Sequence, residues 1–178
     1  MYESRPDSAK PRADAVAFEQ LPRIRKRPHG PYQTGKCGET PPAELLAGIA
    51  EFNQGLFFEQ HETLELLWRR ESDDVRYLYQ GILLVGVGCY HLLRGNANGA
   101  RIKLERGIEI LGWFEAVCQR VDVARLRRDS QRCLAALQAL APDQLLAFDR
   151  RMLPRVHLVD ESEDQCGVDI TPPGSDSD

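Results

Sequence analysis

The residues best suited to chemistry are a histidine and a glutamate four positions apart in the segment HETLE. His61 and Glu65 share one side of a helix, because successive residues are about 100° apart, and Glu62 lies farther round. A histidine and a carboxylate so placed can hold a metal ion, form a charge-assisted hydrogen bond or orient a general base. The segment is not the metalloprotease motif HExxH, because Glu65 stands where the second histidine would be. It is not the ExxH motif of di-iron bundles either, because that spacing ends here in glutamate and has no second copy.

The next helix is predicted to place a third polar group against this pair. A turn at Ser72–Asp74 joins the two helices. If they are antiparallel, residues whose numbers add to about 145 lie level with each other, which pairs Glu65 with Gln80. We expect His61, Glu65 and Gln80 to form one hydrogen-bonded set between the helices, with Trp68 packed beside it.

A second polar pair is predicted at one end of the bundle, where the same register brings His91 to the turn that contains Asn53. Three uses of the two clusters stay open. They are a structural network that fixes helix register, a site for a small ligand or metal ion, and an active site. A buried carboxylate without partners is costly, so a network that satisfies Glu65 is the simplest of the three.

The elements that must position these residues are all helices. Apolar residues at helical spacing predict helices of about Thr40–Phe52, Leu56–Arg70, Val75–Leu93, Ala100–Cys118, Asp122–Leu140 and Pro142–Arg151, with Thr40 and Asp122 as N-caps. The central run Gly81–Leu93 is apolar on nearly every side, yet too short to cross a membrane. No strand pattern competes, and short connections favour antiparallel neighbours. The sequence predicts an all-α fold, a compact bundle of about five helices.

The segments outside the bundle differ from it in composition. Residues 1–39 contain five prolines and a short basic run, which predicts an extended or disordered arm before the helical domain 40–158. Residues 159–178 contain seven acidic residues and no basic one, which predicts a disordered tail. Between them, residues 31–158 balance at sixteen charges of each sign. A nearly neutral domain argues against nucleic-acid or membrane-surface partners.

The cysteines give no sign of a disulfide framework. There are five, without a CxxC pair. Cys89, Cys118 and Cys133 fall at apolar helical positions, where free cysteine behaves as a small hydrophobic residue. An odd, unpatterned set predicts free thiols in a reducing compartment. The N-terminus lacks the apolar core of a signal peptide, so we expect a cytoplasmic location.

The polar residues belong to an ordered set of motifs. They are Phe52-Asn53-x-Gly55-x-Phe57-Phe58-Glu59-x-His61-Glu62-x-Leu64-Glu65-x-x-Trp68, then Gln80-Gly81, His91 and Gly95-Asn96-x-x-Gly99-Ala100. Over about residues 42–140, this ordered set resembles the domain of unknown function 309 family. The family pattern emphasises His61, Glu62, Glu65, Trp68, Gln80 and Asn96. The resemblance implies a small all-helical domain for which no activity is established. Where family members often carry a second glutamine this chain has Leu84, and the upstream Pro-His-Pro-like segment is Pro28–Pro31.

These observations favour a non-catalytic module that binds a small molecule or a protein partner through the groove near His61 and Glu65. The alternative is a hydrolase-like or metal-dependent enzyme in which Glu65 or Glu62 acts with His61. The sequence has no nucleophile motif, phosphate loop or cofactor fingerprint to support that alternative. We predict no resident metal or cofactor, because a zinc site wants about four ligands. The identity of the ligand and the oligomeric state do not follow from the sequence.

Overall fold

Five α-helices account for most of residues 34–160, the part of the chain that the computed structural model describes. They are α1 (Ala43–Gln54), α2 (Phe57–Arg70), α3 (Arg76–Leu93), α4 (Ala97–Leu111) and α5 (Val123–Gln138). The all-α prediction is confirmed. The predicted arm up to residue 33 and the predicted tail from residue 161 lie outside the described residues.

The helix ends follow local chemistry, with one departure from the prediction. Asp122 caps α5 as expected, since its Oδ1 accepts the Arg125 N–H at 2.8 Å. Gly55 ends α1 with a positive φ of 78°, a conformation that suits glycine. Thr40 does not cap α1. That helix begins later, after Pro42, whose fixed φ suits the position before the first turn.

The contacts between α2 and α3 match the predicted antiparallel register. The Arg76 guanidinium of α3 lies 4.8 Å from the centre of the Trp68 ring of α2. Farther along, the Gln60 amide of α2 lies against Gly86 of α3, where no side chain would fit. The short turn between α2 and α3 therefore determines which residues of the two helices lie opposite each other.

The third helix is enclosed by its neighbours because glycines let α4 approach it closely. A Cβ at Gly107 of α4 would lie 3.1 Å from the carbonyl oxygen of Gly81 and 3.1 Å from the backbone nitrogen of Val85, both on α3. On another side of α3, the Cys89 thiol contacts Cys133 of α5. The face of α3 that carries Gln80 is thereby left between α2 and α4.

A short hairpin follows α4 in place of the helical turns predicted there. Val117–Cys118 (β1) pairs antiparallel with Val121–Asp122 (β2). The two residues between them, Gln119 and Arg120, have φ values of 46° and 62°, which is the geometry of a tight hairpin turn. The predictions that α4 continues in register to Cys118, and that the chain has no strand, were wrong. The helix ends at Leu111. Of the later apolar positions, Phe114 lies in the connection that follows, and Cys118 lies in the hairpin.

A disulfide ties this hairpin to the start of the described chain. Cys118 is bonded to Cys37, which lies in the 3-10 turn Gly35–Gly38. Beside it, the Lys36 amine contacts both carboxylate oxygens of Glu71 at 3.0 Å. Residues 34–39, which the sequence assigned to the arm, are therefore attached to the bundle.

The cysteine prediction was wrong for this pair and right for another. Cys118 is not a free thiol, whereas Cys89 and Cys133 are free and buried. Because one disulfide is present, the cysteines do not support a reducing compartment, and a cytoplasmic location stays a prediction. Within residues 34–160, no helix is long and apolar enough to span a membrane.

The last segment returns to the bundle as extended chain rather than as the predicted helix. Two 3-10 turns, Pro142–Ala147 and Arg150–Met152, replace that helix. The chain then runs beside β2, where the Asp122 N–H donates to the His157 carbonyl at 2.9 Å. The C-terminal segment therefore packs on the hairpin and on α5.

Candidate functional site

Side chains from three helices form what we call the polar face. They are His61, Glu65 and Trp68 of α2, Arg76 and Gln80 of α3, and Lys103 of α4. Arg76 covers the Trp68 ring, and Gln80 follows Arg76 by one helical turn on the same side of α3. Lys103 is close enough for its charge to act on His61. The face thus lies along α3, between α2 and α4.

The His61 imidazole is the most enclosed of these groups. It is 4% exposed, and burial lowers the pKa of His61, an effect opposed by the carboxylates of Glu65 and Glu62. A lowered pKa keeps the imidazole neutral at pH 7. His61 Nε2 lies 4.0 Å from Glu65 Oε2, which is beyond hydrogen-bond distance. Instead, Glu65 Oε1 accepts a hydrogen bond from Arg69 at 2.7 Å.

Polar atoms on this face are buried without a hydrogen-bond partner among residues 34–160. They are the Gln80 Oε1 acceptor and the Trp68 Nε1 and Arg76 Nε donors. The predicted hydrogen-bonded set of His61, Glu65 and Gln80 is therefore not formed. Glu65 pairs with Arg69 on its own helix. A carboxylate only accepts hydrogen bonds, so it could not satisfy the Gln80 Oε1 acceptor in any case.

Lys103 places a positive charge at the edge of the face. It is half-buried, and burial lowers the pKa of its amine. Within the described chain no carboxylate pairs with it. Glu65, across the face, is 20% exposed at its side chain, so the face reaches solvent along these two residues. A cation, a neutral imidazole and a buried, unsatisfied amide acceptor therefore lie along one strip that is partly accessible at its edges.

Two of the predicted site residues lie apart from the polar face. Glu62 is exposed and acts on His61 only through its charge. Asn53 binds the C-terminal segment, since its Nδ2 donates to the Val156 carbonyl at 2.8 Å and its Oδ1 accepts the Val156 N–H at 2.9 Å. Asn53 is thus tied to the C-terminal segment, and the pair of Asn53 and His91 stays a prediction.

The remaining predicted residues, His91 and Asn96, contact each other at the start of α4. Asn96 Oδ1 accepts the Gly99 N–H at 2.8 Å, which makes Asn96 the N-cap of α4. Its Nδ2 lies 3.3 Å from His91 Nδ1. Helix capping is therefore a sufficient reason for an asparagine at position 96, and no ligand is needed to explain it.

Sequence reasoning missed Lys103, Arg76 and Gln60. Lys103 lies one helical turn from both Ala100 and Gly107, on the packed side of α4. This spacing could have identified Lys103 as a charged residue on a buried side of the helix. Gln60 is fully buried on the apolar side of α2, and both polar atoms of its amide lack a partner among the described residues. Gln60 faces Gly86 rather than the polar face.

The donor set does not resemble a metal centre. Across residues 34–160, no three side chains of His, Cys, Asp or Glu are grouped closely enough to hold an ion. The geometry also gives little support for a general base on this face, since Glu62 is exposed and Glu65 is paired with Arg69. What the face offers is a set of hydrogen-bonding groups along a partly exposed strip.

Comparison with known proteins gives a match to one family model over part of the chain, and no function. No curated protein matches the chain, and no solved structure matches it either. The segment that does match a family model includes all of α2 and α3 and the first turn of α4, and it supplies every residue of the polar face except Lys103. Residues 45–102 match the family described as Domain of unknown function (DUF309), which confirms the family predicted from the motifs.

Proposed function

We propose that the polar face binds a small polar molecule and that the domain is a non-catalytic binding module. The observation that carries this proposal is that two buried atoms of the polar face, Oε1 of Gln80 and Nε1 of Trp68, have no hydrogen-bond partner among the described residues. Each such atom costs about 1–3 kcal/mol relative to a hydrogen-bonded one. A ligand that donates to the amide and accepts from the indole would offset that cost.

The chemistry of the face indicates what such a ligand carries. Gln80 Oε1 needs a donor, whereas Trp68 Nε1 and the Lys103 amine need acceptors. A molecule with an N–H or O–H group and a carbonyl or carboxylate group meets all three needs. Because Lys103 is half-buried without a carboxylate partner in the described chain, a ligand with partial or full negative charge fits best.

An enzymatic use of the same residues has weaker support. Catalysis by Glu65 with His61 would require the carboxylate to orient the imidazole, but the two are 4.0 Å apart. The carboxylate is instead paired with Arg69 at 2.7 Å. We therefore retain binding as the proposed role.

Native mass spectrometry of freshly purified protein tests the proposal. We expect a fraction of the wild-type protein to carry one bound small molecule. Gln80→Leu, which keeps the size of the side chain and removes the acceptor, should lose that molecule. The matched control is Glu59→Gln, an exposed change on the same helix as His61 that should leave the bound mass unchanged.

Two results would contradict this assignment. One is a wild-type spectrum without a bound molecule, together with no thermal stabilisation by a panel of small carboxylates and carboxamides. The other is a bound molecule that Gln80→Leu retains at wild-type occupancy, because the ligand would then occupy a different part of the protein.

A further inference from the structure

A second polar region, separate from the polar face, lies where the C-terminal segment packs on α5. A cavity of about 320 Å³ there is lined by Arg125, Arg132, Arg151, Arg155 and His157, with Asp129 as an acidic neighbour. We call it the arginine cavity. A second cavity of about 420 Å³ shares Arg151, Leu153 and Arg155 with it and is also lined by Phe57 and Leu93. Both volumes lie in the range of small-molecule sites.

The charges of the arginine cavity do not cancel. Asp129 Oδ1 lies 2.7 Å from Arg132, and its Oδ2 lies 4.0 Å from Arg125, so one carboxylate serves two arginines. Arg151 pairs with Asp149, an exposed residue outside the cavity lining. Arg155 has no acidic partner among the side chains that the structure describes in residues 34–160, which exclude those of residues 142, 143 and 146. The cavity therefore holds an uncompensated positive charge.

The composition of this part of the chain indicates which anion the cavity suits. Residues 120–157 contain eight arginines, four aspartates and no lysine. The guanidinium group presents a rigid fork of N–H donors that matches phosphate and carboxylate oxygens in pairs, which the lysine ammonium cannot do. The nearly neutral total charge of the domain had concealed this local excess.

The segment that carries Arg155 is held in place on both sides of the bundle. Val156 makes two backbone hydrogen bonds to the Asn53 side chain, at 2.8 and 2.9 Å. The His157 carbonyl accepts the Asp122 N–H at 2.9 Å. Arg155 is therefore presented from fixed backbone, so little further ordering of the chain is needed when an anion binds.

We propose that the arginine cavity binds the phosphate group of a phosphorylated small molecule, whose apolar body occupies the adjoining cavity beside Phe57 and Leu93. The phosphate oxygens accept hydrogen bonds from Arg155 and from Arg132 or Arg125. The shared position of Arg151 and Arg155 between the two cavities places the ligand's charged and apolar ends next to each other. This site is independent of the polar face and of the role proposed for it.

Isothermal titration calorimetry at low ionic strength tests the proposal with phenyl phosphate as the probe, and with inorganic phosphate and phenol as its separate halves. Wild-type protein should bind phenyl phosphate at least tenfold more tightly than either half. Arg155→Gln should weaken phenyl phosphate binding at least tenfold. Arg128→Gln, an exposed change on α5 outside the cavity lining, should change it by less than twofold. Circular dichroism confirms that each variant is folded.

Each alternative outcome overturns the proposal. No binding of phenyl phosphate to the wild-type protein would show that the cavity is not a phosphate site. Equal binding by Arg155→Gln and wild type would place the anion elsewhere, and equal binding of phenol would show an apolar site only. A single-stranded oligonucleotide without terminal phosphates that binds more tightly than phenyl phosphate would identify a nucleic-acid surface instead.

Discussion

Replacing Cys37 with Ser and Cys118 with Ala together should lower the free energy of unfolding by about 4 kcal/mol. The disulfide joins residues 81 positions apart, so it restricts the unfolded chain over most of the bundle. It also fixes the start of the described chain to the hairpin after α4. Urea melts of the oxidised wild type and of the double variant measure the difference.

Reduction provides the matched control for this prediction. Dithiothreitol should lower the stability of the wild type to that of the double variant and should leave the double variant unchanged. Thiol titration in denaturant should count two fewer thiols before reduction than after it. Identical counts, or a melt of the wild type that is insensitive to reduction, would contradict the assigned bond.

The second large effect is a gain in stability from Gln60→Met, by about 2 kcal/mol. Gln60 is 0% exposed, and its amide oxygen and nitrogen both lack a hydrogen-bond partner among the described residues. Methionine has nearly the same shape, carries no polar atom that needs a partner, and packs well against an aromatic neighbour such as Phe52. Urea melts of the purified variant give the difference in unfolding free energy.

The control for Gln60 is the same substitution on the surface. Gln131→Met on α5 replaces an exposed amide and should change stability by less than about 0.5 kcal/mol. If Gln60→Met instead destabilised the protein by about 1 kcal/mol or more, the prediction would be wrong. The Gln60 amide would then have hydrogen-bond partners other than the described residues.

The helices were predictable because each one buries an apolar stripe and is bounded by short polar turns. The level of α2 against α3 was also predictable, because a short turn leaves little freedom in how the two helices align. Trp68 and Arg76 meet as that alignment requires. The hairpin was not predictable from periodicity, because its strands are two residues long and contribute a single buried side chain each.

The disulfide and the arginine cavity lie beyond sequence reasoning for the same physical reason. Cys37 and Cys118 come from distant segments, and no spacing rule connects them. The arginines of the cavity come from α5 and from the C-terminal segment, and along the chain they are diluted by acidic residues. Only the fold brings these residues together.

The polar face was predicted in position but not in detail. Helical spacing alone identified His61, Glu65 and Gln80 as polar residues on buried sides, and the structure places all three along α2 and α3 as expected. Their hydrogen bonding was not predictable, because His61 and Arg69 both lie four residues from Glu65 on the same helix, and spacing does not decide between them. Glu65 pairs with Arg69, and Gln80 Oε1, an acceptor that a carboxylate cannot satisfy, has no donor among the described residues.

The most direct test of the account is the unfolding free energy of ligand-free Gln80→Leu compared with that of the ligand-free wild type. If the face is kept for binding, the amide contributes nothing to the empty fold, and the leucine variant should be more stable by about 1 kcal/mol. If Gln80→Leu is instead less stable by about 1 kcal/mol or more, the amide holds the bundle together. That result would contradict a binding role for the polar face.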